Sequence, residues 1–211
     1  MDIDYINKRI EKEICENTIN MLKDDNLLEN YKNCKSVKKN INILKIILDK
    51  YNIKDKIKNS IISDYFLKII PAGTKRIVRG NKFNDIVRET INNLKLDNNR
   101  FEICFEKMCD ISITPEIPDW YILEKETNKV IIGMNQLDVW NGGQQRNRGS
   151  KYLIDCKNNT EKSKLLCVVC NKIKLTSNKN KIYKLFKIGY SNDTLCYVKN
   201  IGNIINNFFN N

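Results

Sequence analysis

The central strands of the chain are predicted from two stretches, IPDWYIL at residues 117–123 and VIIGMNQLDVW at residues 130–140. Both are rich in β-branched and aromatic residues, which favour strands. The segment between them, EKETNK at residues 124–129, is polar and short enough to form a turn. The sequence therefore predicts a β-hairpin with two apolar arms.

Three oxygen-bearing side chains are predicted to meet at one end of this hairpin. Asp119 lies near the start of the first arm and Asp138 near the end of the second, so an antiparallel return brings them to the same end. Gln136 and Asp138 are two residues apart and therefore point to one face, about 7 Å apart along the strand. Mg²⁺ prefers oxygen ligands in near-octahedral geometry. The hairpin is thus a candidate magnesium site with Asp119 and Asp138 as ligands.

The segments around the hairpin predict a defined order of elements. Apolar residues at helical spacing between residues 81 and 96 predict a helix, and the alternating run FEICFE at residues 101–106 predicts a strand. The later elements are a helix from about residue 144, strands at 164–170 and 181–188, an edge strand and turn at 187–191, and a helix at 201–209. The core order is helix, three strands, helix, strand, which defines an α/β (α+β) fold class with a central mixed sheet.

The chain before this core is predicted to form a separate region. Ile and Leu recur at helical spacing through residues 1–70, which predicts three or four short helices. Pro71 and two glycines follow within residues 71–80, and this composition predicts a loop or linker. We therefore expect an N-terminal helical region at residues 1–70 and a core with a C-terminal extension at residues 71–211.

The Pro118-Asp119 pair, the hairpin and Gln136-x-Asp138, in an αβββαβ order, resemble the PD-(D/E)xK nuclease superfamily and in particular its type II restriction endonucleases. The resemblance covers about residues 75–171. In that family the two acidic positions bind Mg²⁺, and the third position is usually a lysine that helps to activate the attacking water. The resemblance implies a restriction-endonuclease-like core and a Mg²⁺-dependent deoxyribonuclease that hydrolyses phosphodiester bonds.

Two positions depart from the family pattern. Gln136 occupies the second metal-binding position and Asp138 the lysine position, and the family tolerates both replacements. If Asp138 binds the metal and orients the water, Lys151 is a candidate for stabilising the developing phosphorane charge. The candidate catalytic residues are Asp119, Gln136, Asp138 and Lys151. The alternative is a catalytically inactive DNA-binding protein that retains the nuclease fold.

Further carboxylates lie near the predicted site. Many members of the family carry a Glu on the first core helix, where this chain offers Asp85, with Glu89 one turn on. Glu106 lies at the end of the first predicted strand, on the same face as Glu102. The candidate metal ligands are Asp119, Asp138 and Glu106.

A basic segment directly after the hairpin is the candidate DNA-reading element. Its sequence is WNGGQQRNRGSKY at residues 140–152, and no acidic residue occurs from Val139 to Ile154. Gln and Asn bind adenine edges, Arg binds guanine, and Lys and helix N-termini bind phosphates. The candidate DNA-binding residues are Gln144, Gln145, Arg146, Asn147, Arg148 and Lys151. A plain polar surface loop is the alternative.

The composition favours a nucleic-acid partner and excludes several mechanisms. The chain of 211 residues has 37 Lys and Arg against 25 Asp and Glu, a net charge of +12 that favours a polyanionic partner. Codon bias towards Lys, Asn and Ile is the alternative explanation. The sequence has no His, so hydrolysis must use carboxylates, lysine and a metal rather than an imidazole. Double-stranded DNA is the expected substrate, and the two-fold symmetry of a palindromic duplex predicts a homodimer.

The sequence also predicts an intracellular, cytoplasmic location. The first residues are charged and no run of about 18 apolar residues occurs, so neither a secretory signal nor a membrane span is expected. The eight cysteines lie mostly among apolar neighbours, which is typical of reduced, buried thiols. We interpret Cys167 and Cys170 as residues of a buried strand rather than half a zinc site. The Asn- and Lys-rich composition is compatible with a virus or its microbial host.

Overall fold

A computed structural model describes residues 8–9, 12, 34–69, 72–137, 156, 159–170 and 187–210 of the chain. The chain divides into two compact units: residues 4–81 form one, and residues 82–211 together with residues 1–3 form the other. None of the helices that the structure describes is long and apolar enough to cross a membrane.

The first unit contains a pair of helices, α1 (Cys34–Lys50) and α2 (Asp55–Ile69), that pack against each other. Their apolar residues recur at helical spacing, and some of them are buried, whereas others, such as Ile46 and Ile57, are exposed. The buried residues are Val37, Ile41, Leu48, Ile62 and Phe66. An ion pair between Lys58 and Asp49 also joins the two helices. The predicted helical character is therefore confirmed for the described part of this region.

The predicted loop at residues 71–80 is wrong, because residues 72–80 belong to a long helix, α3 (Ala72–Asn92). A proline before a helix or in its first turn does not break it, since the first N–H groups have no helical partner. A glycine inside a helix lowers stability by about 0.5–1 kcal/mol relative to alanine, which weakens a helix without ending it. The buried stripe later in α3, formed by Phe83, Ile86, Val87 and Ile91, provides the packing that stabilises the helix.

The second unit is built on a five-stranded mixed sheet in the order β1-β2-β3-β4-β5. The strands are β1 (Phe101–Phe105), β2 (Trp120–Glu124), β3 (Val130–Leu137), β4 (Ser163–Cys170) and β5 (Leu195–Tyr197). The first three strands are antiparallel neighbours, whereas β4 and β5 run parallel to β3. The predicted α+β class with a central mixed sheet is therefore confirmed.

The predicted hairpin is confirmed, with arms that begin and end at slightly different residues. Trp120 pairs with Gly133 and Leu123 with Val130 across the two arms. The first arm begins at Trp120 rather than Ile117, because Pro118 has no N–H to donate to a ladder of hydrogen bonds. The described part of the second arm ends at Leu137, and residues 138–140 lie outside the described chain.

In the C-terminal part of the chain, the last strand does not lie where the sequence predicts it. Residues 187–191 are helical, so the predicted edge strand and turn there is wrong, and so is the described end of the strand predicted at 181–188. Residues 181–186 lie outside the described chain. The fifth strand is β5 (Leu195–Tyr197), which the sequence analysis missed. The terminal helix is confirmed as α4 (Ile201–Asn210).

The sheet is buried on both faces in its centre. One face carries an apolar cluster that includes Tyr121, Ile132, Met134, Leu165 and Cys167. On the other face, Phe101 packs edge-on against Phe209 of α4 with 4.9 Å between ring centroids. Both cysteines of the Cys167–Cys170 pair are buried on β4 and form no disulfide, as the sequence predicts.

The buried carboxylate of Glu124, at the end of β2, forms hydrogen bonds with neighbouring residues. Glu124 accepts hydrogen bonds from the hydroxyl of Thr127 and from Nε of Arg100, the latter at 2.6 Å. Nη2 of Arg100 also donates to the carbonyl oxygen of Phe209 at 3.2 Å, which ties α4 to the sheet. The Thr127 hydroxyl, followed by the Arg100 guanidinium, holds the pKa of Glu124 below its usual value.

Candidate active site at the end of the hairpin

Asp119 is fixed between β1 and β3 by its own backbone. Its N–H donates to the carbonyl oxygen of Gly133 at 3.1 Å, and its carbonyl oxygen accepts from the N–H of Glu106 at 3.0 Å. The residue lies directly before β2, so its backbone continues the sheet one position beyond the strand. The position of the side chain is therefore set by a rigid element on either side.

The carboxylate of Asp119 is held by donors from a helix and from a strand. Oδ1 accepts from Nδ2 of Asn84 on α3 at 3.1 Å, and Oδ2 accepts from the backbone N–H of Asn135 on β3 at 2.5 Å. An ionised carboxylate only accepts hydrogen bonds, and each of its oxygens has a second lone pair. The carboxylate is thus oriented by donors from two different elements.

The two asparagines form a directional chain of hydrogen bonds that begins at Trp120. Nε1 of Trp120 donates to Oδ1 of Asn135 at 3.1 Å, and Nδ2 of Asn135 donates to Oδ1 of Asn84 at 3.0 Å. An indole N–H only donates and a carboxylate only accepts, so the orientation of both amides between them is determined. We call the residues Trp120, Asn135, Asn84 and Asp119 the amide relay.

Gly133 provides the space that the amide relay needs. Trp120 lies opposite Gly133 in the hairpin and is fully buried. A Cβ on residue 133 would lie 1.8 Å from Cε2 of the Trp120 indole and 2.3 Å from its Nε1. The indole therefore occupies the place of a side chain at residue 133, and its N–H reaches Asn135 from there.

A cation lies beside the relay on the same helix. Arg88 is one turn after Asn84 on α3, with its guanidinium carbon 4.9 Å above the centre of the Phe105 ring. Its Nη2 is 3.7 Å from Oε1 of Glu106, which lies just past β1 at a φ of 52°. Since Glu106 also donates its N–H to Asp119, the structure brings the predicted ligands Glu106 and Asp119 into neighbouring positions. Nε of Arg88 is buried and has no hydrogen-bond partner within the described part of the chain.

Gln136 follows Asn135 on β3, but its side chain is on the opposite face of the sheet. It is half-buried and pairs in register with Val169 of β4. Successive side chains on a strand point to opposite faces, so Gln136 shares a face with Met134, while Asn135 faces Asn84 and Trp120. Asn135 is therefore the β3 side chain that reaches the relay, and it is not among the site residues predicted from the sequence.

The other carboxylates near the site have different surroundings. Asp85 and Glu89 are exposed on α3. Glu102 on β1 accepts hydrogen bonds from the hydroxyl of Tyr121 at 2.7 Å and from Sγ of Cys104 at 3.4 Å. The bond from Tyr121, and then that from Cys104, lowers the pKa of Glu102.

Several predicted site residues lie outside the described chain. They are Asp138, Gln144, Gln145, Arg146, Asn147, Arg148 and Lys151. Among the residues that the structure describes, no three or more His, Cys, Asp or Glu side chains are grouped as a metal site. The described centre therefore consists of one oriented carboxylate, two amides, an indole and an adjacent Arg–Glu pair.

Comparison with known proteins adds no relative: no family model, no curated protein and no solved structure matches the chain. The class that the fold and the geometry define is an α+β protein with a five-stranded mixed sheet. Its distinguishing feature is an oriented aspartate at the end of the central hairpin.

Proposed function

We propose that the protein is a metal-dependent DNA endonuclease of the PD-(D/E)xK type, related in mechanism to type II restriction endonucleases, with Asp119 at its active centre. The observation that carries the proposal is the orientation of the Asp119 carboxylate by donors from α3 and β3. A carboxylate that is oriented by rigid elements suits the geometric demands of Mg²⁺.

The order of elements supports the same proposal. A helix, an antiparallel meander of three strands and a fourth strand parallel to the third follow one another in the second unit. A parallel neighbour requires a crossover connection, and here the crossover runs between Leu137 and Ser163. The predicted DNA-reading segment at residues 140–152 falls within that connection. In an αβββαβ core the second helix occupies the same place.

The residues that we propose as ligands carry the oxygen donors that a hard divalent cation prefers. The carboxylate of Asp119, with those of Asp138 and Glu106, would supply oxygen ligands, and Gln136 would orient a water. A metal held by these residues would supply an activated water and would offset negative charge on the leaving oxygen.

In the proposed mechanism, the protein orients the Asp119 carboxylate and balances the charge of its neighbours. The amide relay holds the Asp119 carboxylate in one position, and Arg88 balances the negative charge of Glu106. Lys151 would stabilise the charge that develops on the phosphate. The net charge of +12 supports double-stranded DNA as the substrate. A homodimer, which the symmetry of a palindromic duplex favours, and a cytoplasmic, intracellular location complete the proposal.

A catalytically inactive DNA-binding protein with the same fold is the second candidate. It is favoured by one observation: both oxygens of Asp119 already accept hydrogen bonds from the protein. In this case Asp119 would be a structural acceptor for Asn84 and Asn135, and DNA binding would need no metal.

The test is incubation of the protein with AT-rich plasmid and viral DNA, in Mg²⁺ and in EDTA. Asp119→Asn removes the charge with little change in shape, and Asp110→Asn is the matched control because Asp110 is exposed in the loop before β2. Discrete fragments that require Mg²⁺, disappear in Asp119→Asn and persist in Asp110→Asn would support the nuclease. Intact DNA with retained binding in both variants would favour the inactive candidate, and the absence of both cleavage and binding would contradict the two.

A further inference from the structure

A second candidate site lies at the opposite end of the sheet from Asp119. Lys129 lies directly before β3, and Lys164 is near the start of β4. The parallel pairing of these strands therefore brings the two lysines to the same end of the sheet. They line a cavity of ≈ 710 Å³ together with Phe208 of α4. This volume falls within the range of about 300–1,000 Å³ that is usual for ligand sites.

Phe208 holds the two lysines together. Nζ of Lys129 is 5.9 Å and Nζ of Lys164 is 5.8 Å from the centre of the same Phe208 ring. A ring attracts an ammonium group through its electron-rich face and accepts no strong hydrogen bond from it. The N–H donors of both lysines therefore stay free of the ring and are available to an oxygen ligand in the cavity.

An amide donor is oriented in the same cavity. Oδ1 of Asn159 accepts a hydrogen bond from the backbone N–H of Leu165 at 2.8 Å. Because this bond fixes which end of the amide is the acceptor, the NH₂ end of Asn159 is the one left to donate. Asn159 lines the cavity with the two lysines, so ammonium and amide donors share one space.

Two carboxylates that line the cavity would repel a bound anion. Glu161 and Asp193 also line the cavity, and both are exposed. Each would repel a phosphate, so their removal should strengthen its binding. A gain of affinity on removing an acidic side chain is a signature that structural damage does not produce.

We propose that this cavity binds a phosphate group through Lys129, Lys164 and Asn159. The phosphate belongs either to a nucleic-acid backbone or to a free nucleotide, since both present the same oxygens to these donors. The site is distinct from the Asp119 centre, and its binding needs neither a metal nor cleavage. Its success or failure is therefore independent of the nuclease proposal.

The experiment measures binding of a fluorescein-labelled 20-base-pair duplex by anisotropy in EDTA, across a series of salt concentrations. The double variant Lys129→Gln/Lys164→Gln is compared with Lys54→Gln/Lys68→Gln, which removes the same charge from exposed positions of the helical unit. We expect the cavity variant to bind about tenfold more weakly near 0.1 M salt, with a salt slope smaller by about one to two. The control should change much less.

Titration of ATP by calorimetry distinguishes the two sources of the phosphate. If free nucleotides are the ligand, ATP binding is lost in the cavity variant while duplex binding stays at the level of the control. In either case Glu161→Gln should raise the affinity for the ligand several-fold. The proposal is overturned if neither duplex nor ATP binding differs between the cavity variant and its control, or if Glu161→Gln leaves both affinities unchanged.

Discussion

Replacing Gly133 by alanine tests the packing on which the amide relay depends. The added Cβ would lie 1.8 Å from Cε2 of Trp120, whereas carbon atoms in contact are about 3.5–4.0 Å apart. Trp120 has an exposed fraction of 0%, so its indole has no solvent-facing space to move into. The substitution must therefore displace the indole or separate the two arms of the hairpin.

The expected loss of stability follows from these contacts. Overpacking of a core typically lowers the free energy of unfolding by about 1–3 kcal/mol. A displaced indole also loses its bond to Asn135, and a buried unpaired partner lowers it by about 1–3 kcal/mol more. Alanine regains about 0.5–1 kcal/mol relative to glycine in a strand. We therefore expect Gly133→Ala to be less stable by about 1–5 kcal/mol.

The assay is equilibrium unfolding in urea, with Gly80→Ala as the matched control. A Cβ at Gly80 on α3 would meet nothing within 4 Å, so this control should keep or slightly raise the stability. In a Trp120→Leu background the effect of Gly133→Ala should shrink by at least about 1 kcal/mol, because the clashing ring is gone. A Gly133→Ala protein as stable as the parent, or an equal loss in the Trp120→Leu background, would refute the packing argument.

Three further results are expected. Asn84→Ala should lower the free energy of unfolding by about 1–2 kcal/mol, because it leaves Asn135 and Asp119 each without one partner. Any Mg²⁺-dependent cleavage should fall with it. Unchanged unfolding in urea would count against the relay. Because the pKa of Glu124 is lowered in the folded protein, its ionisation stabilises the folded state at pH values above the usual carboxyl pKa, and this contribution is lost as the pH falls through the folded-state pKa. Glu124→Gln should therefore flatten the acid limb of a curve of stability against pH. An unaltered acid limb would contradict this. Burial raises the pKa of Cys196 to about 12, so its thiol should resist alkylation at pH 8 until the protein is unfolded, as mass spectrometry of labelled peptides would show.

The hairpin was predictable because its signal is local. Two long apolar arms and a polar turn are visible within residues 117–140, and no distant partner is needed to recognise them. The start of α3 was not predictable in this way, since glycine and proline near residues 71–80 have the composition of a loop. Strand β5 (Leu195–Tyr197) is too short to show alternation, and it is defined by its pairing with Cys167–Val169 of β4.

The candidate site was predictable only in part, and the reason is again distance along the chain. Asp119 stands out through its position in the hairpin. The partners of its carboxylate do not: Asn84 is 35 residues away from Asp119 and 51 residues away from Asn135. No sequence spacing links residues so far apart, and asparagines are frequent in this chain. Arg88 was missed for the same reason, because its role depends on where α3 lies against β1.

The parallel pairing of β4 with β5 protects the protein from association with itself. Strand β4 reads SKLLCVVC, and its last six residues are buried. In the described part of the chain, its outer side pairs with the three residues of β5. If β5 detached, β4 would become an apolar edge strand with unpaired N–H and carbonyl groups, which is a template for intermolecular pairing. One of the smallest described elements therefore covers a strand edge that would otherwise be open to pairing with another chain.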